Sequence, residues 1–183
     1  MDTRLVGRAQ RGDEVAFASI TQATSSRFKQ VSYRILRDRH LAEDATQQAL
    51  VEIWRTLPKL RDPARFDGWA YRILVHACYR EAKRYRRSFG VKPGERDLVG
   101  PDELATINDR DQLERGFARL SVDQRAVVVL HYFADLTIDD TARALGISPG
   151  TAKSRLSRAM KRMRTALGAE APVPGPADLE PTP

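Results

Sequence analysis

Cysteine is nearly absent. Cys78 is the only one in 183 residues, so neither an internal disulfide nor a cysteine-based zinc site can form, and stability must come from packing, as suits a reducing compartment. Long apolar runs are also lacking. The longest, Ala126 to Leu130, falls far short of the roughly 18 residues that span a bilayer, and no apolar stretch follows the charged start at Asp2 and Arg4. Membrane insertion and signal-directed export are therefore not expected; a cytoplasmic protein is. The three histidines, His40, His76 and His131, are isolated, and neither a phosphate-binding glycine loop nor a nucleophile elbow occurs. Nothing here calls for a cofactor, a metal or a catalytic residue, so an enzyme is not expected. His76 and Cys78, two apart on a helix, would point to different faces and read as structural.

What is present is positive charge, unevenly placed. Lys and Arg number 31 against 24 Asp and Glu, for a net charge of +7. Residues 1–87 carry 18 basic and 10 acidic groups, residues 88–113 carry 3 and 6, residues 114–168 carry 10 and 5, and residues 169–183 carry 0 and 3. Two basic blocks are thus separated by an acidic connector and followed by an acidic tail. The connector holds Gly90, Pro93, Gly94, Gly100 and Pro101, a linker composition, and the tail is rich in proline with almost nothing to bury. The expectation is two compact modules, residues 10–87 and 112–168, joined by a flexible linker over 88–111 and followed by a disordered tail over 169–183. Such a surplus suits a polyanionic partner.

Both modules read as all-α. In the first, Ala45, Ala49, Leu50, Ile53, Trp54 and Leu57 form one apolar stripe ended by Pro58, and Trp69, Ile73, Leu74, Ala77 and Cys78 form another that begins just after Asp67 and Gly68. Ala16, Phe17 and Ile20, then Phe28, Val31, Ile35 and Leu36, suggest two further helices. Val127 to Leu130 is a β-branched run without a hairpin signal after it, and helix is favoured there.

The second module carries the most informative stretch. Ile138, Ala142 and Leu145 lie at helical spacing; Gly146 suits the left-handed residue that ends a helix; Ser148 and Pro149 suit the cap and first position of the next. That helix places Ala152, Leu156, Ala159 and Met163 on one face. Two helices joined by a three-residue turn with glycine, the second one basic, make a helix-turn-helix. With Leu156 facing the core, Gly150, Thr151, Ser154, Ser157, Arg158 and Lys161 project outward, flanked by Lys153, Arg155 and Arg162. From Pro149 to Arg164 there are six basic residues and no acid. Arginine and lysine bond guanine edges or phosphates, and small Ser and Thr let the backbone approach DNA. A merely solvated basic face is the alternative.

A second cluster, Arg80, Lys83, Arg84, Arg86 and Arg87, is interleaved with Tyr79 and Tyr85 and opposed only by Glu81. Phe66, Trp69, Tyr71 and Arg72 lie just upstream. Aromatics beside cations suit single-stranded nucleic acid, because bases stack on rings while phosphates meet charge. The alternative is that the aromatics are core; Trp69 and Ile73 fall on the apolar stripe, whereas Tyr71 and Arg72 fall off it.

These residues carry a resemblance. Asp44-Ala45-Thr46-Gln47-Gln48-Ala49-Leu50-Val51-Glu52-Ile53-Trp54, then Phe66-Asp67-Gly68-Trp69-Ala70-Tyr71-Arg72-Ile73, then Leu120-Ser121 leading into the helix-turn-helix, resemble the extracytoplasmic function RNA polymerase sigma factors, in order and over nearly the whole chain. The resemblance implies an initiation factor that binds core RNA polymerase and recognises promoter DNA twice. Asp44, Gln47, Gln48, Val51, Glu52 and Trp54 would dock on the clamp helices of the largest polymerase subunit. Phe66, Tyr71, Arg72, Tyr79, Arg80, Lys83, Arg84 and Arg87 would recognise and melt the −10 element, one base being captured outside the duplex. Thr151, Lys153, Ser154, Ser157, Arg158 and Lys161 would face the double-stranded −35 element. Trapping an unpaired base offsets the few kcal/mol of unstacking without a catalytic residue.

The sequence also departs from the family pattern. Gln48 stands where the family often has an acid, and Leu50 where it often has Phe, so a charge-assisted polymerase contact is expected to be missing. The connector is too short for the extra helical domain of housekeeping sigma factors; the resemblance implies that this acidic segment threads a basic polymerase channel, and a solvated spacer is the alternative. Without a self-inhibitory extension, control is expected from a separate anti-sigma factor. The competing reading is an autonomous helix-turn-helix regulator in which residues 1–87 sense or dimerise.

Overall fold

The computed structural model describes residues 1–88 and 108–167. Most of the expected linker and the whole expected tail lie outside the described residues. The described residues are all-α, in two helical groups that pack on each other.

Helix α1 (Thr3–Gln10) opens the chain, capped by the Asp2 carboxylate, which accepts from the Arg4 amide. It is not among the expected helices, and it begins ahead of the expected module start at residue 10. Its Val6 and Ala9 are buried against α2. Helix α2 (Glu14–Leu36) is capped by Asp13 and runs unbroken for 23 residues. The two helices expected here are one. The polar segment between the apolar groups, Thr21 to Arg27, holds no glycine or proline to stop a helix, and the Thr24 hydroxyl folds back onto the Ile20 carbonyl. Arg37 then takes the left-handed conformation (φ 56°), and Asp38 caps helix α3 (Arg39–Thr56).

Pro58 ends α3 as expected, in a short 3-10 turn over Leu57–Lys59. A second such turn, Pro63–Arg65, is capped by Asp62 and feeds directly into α4 (Phe66–Ser88). Helix α4 therefore begins at Phe66, ahead of the expected start after Gly68. Helices α2, α3 and α4 pack mutually around Ile20, Ile35, Leu36, Ala45, Ala49, Ile53, Leu57 and Leu74. Cys78 is wholly buried there, its Sγ 3.5 Å from the Ser32 hydroxyl, while His76 is exposed, so the two do take different faces.

The second group holds α5 (Asn108–Ala118), α6 (Val122–Val128), α7 (Ile138–Leu145) and α8 (Pro149–Ala166). Ser121 and Gln124 close a capping box at the start of α6. The ambiguous run Val127 to Leu130 is helical, as favoured, but α6 passes into a π-helical turn over Val129–Phe133. After it, Asp135 adopts the left-handed conformation (φ 57°), which neither residue type nor spacing announces. The helix-turn-helix is as read: Gly146 ends α7 with φ 68°, Ser148 accepts from the Thr151 amide, and Pro149 opens α8.

The two groups do not stand apart. Helices α6 and α7 and the π turn pack on α2 and α4, and the apolar core continues from one group into the other.

Candidate nucleic-acid interface

Helix α8 is held by its buried face. Ala152, Ala159 and Met163 are buried and Leu156 is half-buried against α5, α6 and α7. The other face is open: Thr151, Lys153, Ser154, Ser157, Arg158 and Lys161 are all exposed, as the helical periodicity predicts. The Ser154 hydroxyl donates to the Thr151 carbonyl, and the Arg158 guanidinium donates to the Ser154 carbonyl at 3.2 Å, laying the arginine along the helix surface. Arg155, expected to flank this face, instead turns inward, half-buried and 3.8 Å from the Asp123 carboxylate.

Sequence reasoning missed one contributor. A groove of about 580 Å³ on the same module joins Arg158, Lys161 and Arg162 to Arg119, which comes from the turn after α5. Arg162 is steadied by donating to the Gln124 side chain at 2.7 Å. Arg119 lies far from α8 in sequence, and only the packing of α5 on α8, with Gly116 against Met163, brings it there.

Helix α4 presents a different picture from the one its sequence suggests. Arg72, Arg80, Lys83, Arg84 and Arg87 are exposed. Two of these cations are engaged by α3: Arg80 pairs with Glu52 at 2.8 Å, and Arg84 pairs with Asp44 at 3.2 Å and with Glu81 at 2.6 Å. Opposition expected from Glu81 alone thus comes also from across the helix pair. The exposed pairs with Glu52 and Asp44 contribute about 0–1 kcal/mol and yield readily to phosphate.

The aromatics are less available than expected. Phe66 is 2% exposed and packs at 5.9 Å from the Trp69 ring. Tyr71, placed off the apolar stripe, is buried at 6%, its ring 5.5 Å from Phe28. The stripe reading failed for it because α4 is covered on more than one side, by α2 and α3 and by α7. Tyr79 is half-buried; burial, then the Asp123 charge, push its phenol well above the usual range.

On α3, Asp44, Gln47 and Val51 are exposed, Trp54 is exposed at 36%, and Gln48 and Glu52 are half-buried. The Trp54 ring rests 4.6 Å from Phe17 rather than inside the bundle. Gln47, Gln48, Val51 and Glu52, together with Lys59 and Arg80, line a groove of about 630 Å³. An exposed apolar edge formed by Val51 and Trp54 and rimmed by polar groups is the anatomy of a protein-binding surface.

Among the described residues no cluster of three histidine, cysteine or acidic side chains could hold a metal, and no helix is long and apolar enough to cross a membrane.

Comparisons with known proteins agree on one family. Residues 21–88 match the sigma-70 region 2 model and residues 110–163 the sigma-70 region 4 model. The ECF RNA polymerase sigma factor SigM of Mycobacterium tuberculosis (strain H37Rv) is 31% identical over 167 residues, covering 91% of this chain and 85% of that protein. The RNA polymerase sigma-H factor of Pseudomonas aeruginosa is 27% identical, covering 91% and 93%. Among solved structures, CnrH in complex with the cytosolic domain of CnrY superposes with a TM-score of 0.68 at 22% identity, covering 93% of this chain and 99% of that one. The sigma factor RpoE in complex with the anti-sigma factor NepR from Bartonella quintana gives a TM-score of 0.67 at 23% identity, covering 85% and 98%.

Proposed function

Because the chain belongs to the extracytoplasmic function RNA polymerase sigma factors, a family of transcription initiation factors rather than enzymes, we propose that its two helical groups divide promoter recognition as their surfaces suggest. Helix α8 reads the double-stranded −35 element through Thr151, Lys153, Ser154, Ser157, Arg158 and Lys161. The observation that carries this is the open, acid-free face of α8. Arg119 and Arg162 extend it as phosphate contacts, which position a module without reading sequence.

Helix α4 engages the −10 element. Arg72, Lys83 and Arg87 meet the backbone, joined by Arg80 and Arg84 once DNA displaces their pairs with α3. Tyr71 and Tyr79 supply stacking faces for unpaired bases. Phe66, deep in the packing, supports the start of α4 rather than touching a base. The exposed edge of α3, with Asp44, Gln47, Val51 and Trp54, docks on core polymerase, and Gln48 and Glu52 support it from the side facing α4.

The chain works in the cytoplasm without a metal or cofactor, as a binding protein rather than a catalyst. The sigma factor RpoE, whose fold this chain shares, is in complex with the anti-sigma factor NepR, which supports control of this chain by such a partner. The autonomous-regulator reading is not favoured, because the first helical group is itself matched by sigma region 2. Binding of labelled chain to core polymerase tests the division of labour. Substitutions on the outer edge of α3 should abolish that binding and those on α8 should not.

A further inference from the structure

We propose that Gln10 of α1 is a positioning residue for promoter recognition: it fixes the shape of the loop between α3 and α4, so that this loop forms a wall of the −10 site beside α4. The inference rests on the proposed role of α4 at the −10 element. It gives a task to α1, which lies ahead of the residues matched by sigma-70 region 2.

The loop is secured unevenly along its length. Its second 3-10 turn, Pro63–Arg65, is fastened by the Asp62 carboxylate, which accepts from the Ala64 amide at 3.0 Å and meets Arg65 at 3.3 Å. The first turn, Leu57–Lys59, has no side-chain cap and closes on a backbone bond from the Leu60 amide to the Leu57 carbonyl at 3.0 Å; so short a 3-10 turn is a weak unit alone. Gln10 ties it from outside. Its side-chain amide donates to the Leu57 carbonyl at 3.3 Å and to the Leu60 carbonyl at 2.6 Å, across 47 and 50 residues. Two carbonyls facing one side chain call for a group with two donors, and a glutamine amide offers them without a charge to desolvate in this half-buried spot. The mounting of α1 delivers the amide to that spot. Val6 and Ala9 are buried, Gly12 turns the chain in the left-handed conformation (φ 88°), and Arg8 pairs with Asp13 at 2.7 Å, so the end of α1 is fixed to the start of α2.

The loop stands where its shape matters. It runs directly into α4, and its Lys59 shares a groove with Arg80 on the cationic face of that helix. Lys59 and Arg61 are exposed, as is Arg72 near the start of α4. The loop cations thus carry the phosphate-binding face of α4 onto a second element, and a strand can be held between helix and loop. Phosphate contacts set the register in which bases are read. A wall loose by about 1 Å lets the strand shift against α4 and blurs that reading, because a site is only as sharp as the shell that supports it. Gln10 acts through the loop. Helix α1 packs on α2 and on the two turns, so loss of its hold should reach neither the reading face of α8 nor the outer edge of α3.

Gln10→Leu keeps most of the side-chain bulk and removes both donors. Native-state hydrogen exchange should show the Leu60 amide exchanging about tenfold faster or more, as a local opening does, while core amides such as that of Val31 are unchanged. In run-off transcription from fragmented genomic DNA with host core polymerase, the start sites used by this variant should keep the upstream element. The downstream element should lose roughly fivefold of its base preference, at unchanged affinity for core. A merely structural Gln10 would instead weaken core binding and both elements together, and that result overturns the proposal. So does a Leu60 amide that exchanges as in wild type, or a downstream element that stays sharp although Leu60 has loosened. Wild-type start sites that share no downstream element would overturn the reading of α4, and the proposal with it. Should Gln10→Leu fail to fold, Lys59→Ala with Arg61→Ala decides on exposed residues alone. Chain-dependent transcript should then fall about threefold or more with core affinity unchanged. An unchanged yield, or a loss of core affinity, takes the loop out of the −10 site and overturns the proposal.

Discussion

The Gln48 side-chain amide donates a 2.6 Å hydrogen bond to the carboxylate of Glu81, a residue only 2% exposed between α3 and α4. Read as sequence, Gln48 looks like a missing acidic contact to polymerase. In the structure its side chain turns toward α4, where an amide can donate and a carboxylate cannot. The other oxygen of Glu81 is met by Arg84, so the buried charge is compensated from both sides.

Restoring the acid should therefore do harm. Gln48→Glu would place a second carboxylate against the buried one and remove its donor, lowering stability by about 1–3 kcal/mol. Chemical denaturation followed by circular dichroism checks this. An unchanged or raised midpoint would mean that Glu81 is satisfied without Gln48.

Val51 lies on the outer edge of α3 and is 58% exposed, so Val51→Glu should leave the unfolding midpoint within about 0.5 kcal/mol of wild type. Binding to core polymerase should weaken by about 2 kcal/mol or more, as at the centre of an interface. Fluorescence titration with core reads the effect, and unchanged affinity would move the docking surface elsewhere.

On the second module two arginines should behave differently. Arg158→Ala should cost about 1–3 kcal/mol of promoter binding and relax preference at one position of the −35 element. Arg119→Ala should weaken binding to all duplexes alike and reduce the salt dependence by about one phosphate contact. Neither should change affinity for core. Equal losses of specificity in both variants would refute the assignment of Arg119 to the backbone.

The thiol and phenols buried near α4 give stability an alkaline edge. Burial pushes the Cys78 thiol up to about 12 from an ordinary 9.0, and burial raises Tyr71 and Tyr79 as well. The unfolded chain loses these protons first, so the contribution is complete below pH 9.0 and is lost as pH rises toward the folded value. Unfolding midpoints should fall progressively above that pH, and Cys78→Ala should flatten the decline. Native Cys78 should also resist thiol reagents at neutral pH and react on unfolding.

How far the fold was legible depended on the range over which each signal acts. Gly146, Ser148 and Pro149 define their turn by backbone chemistry within a few residues, and the helix-turn-helix read correctly. The continuity of α2 was hidden because apolar spacing pauses between Ile20 and Phe28, although no residue there breaks a helix. The open face of α8 follows from one buried stripe and one period. The burial of Tyr71 does not, because a helix packed on several sides has no single stripe. Arg27, Arg34, Arg37 and Arg125 carried no local signal at all; their partners Phe133, Asp135, Glu114 and Ile35 lie 77 to 108 residues away or on an opposing helix.

The proposed role of this chain is to direct core polymerase to promoters through paired elements read by α4 and α8. Its most direct test is run-off transcription from fragmented genomic DNA with host core polymerase, with and without the chain, followed by mapping of the 5′ ends. The start sites should depend on the chain and share two sequence elements at fixed spacing, with the upstream element blurred by Arg158→Ala. Absence of any chain-dependent transcript, together with tight binding of the chain alone to specific duplexes, would contradict it.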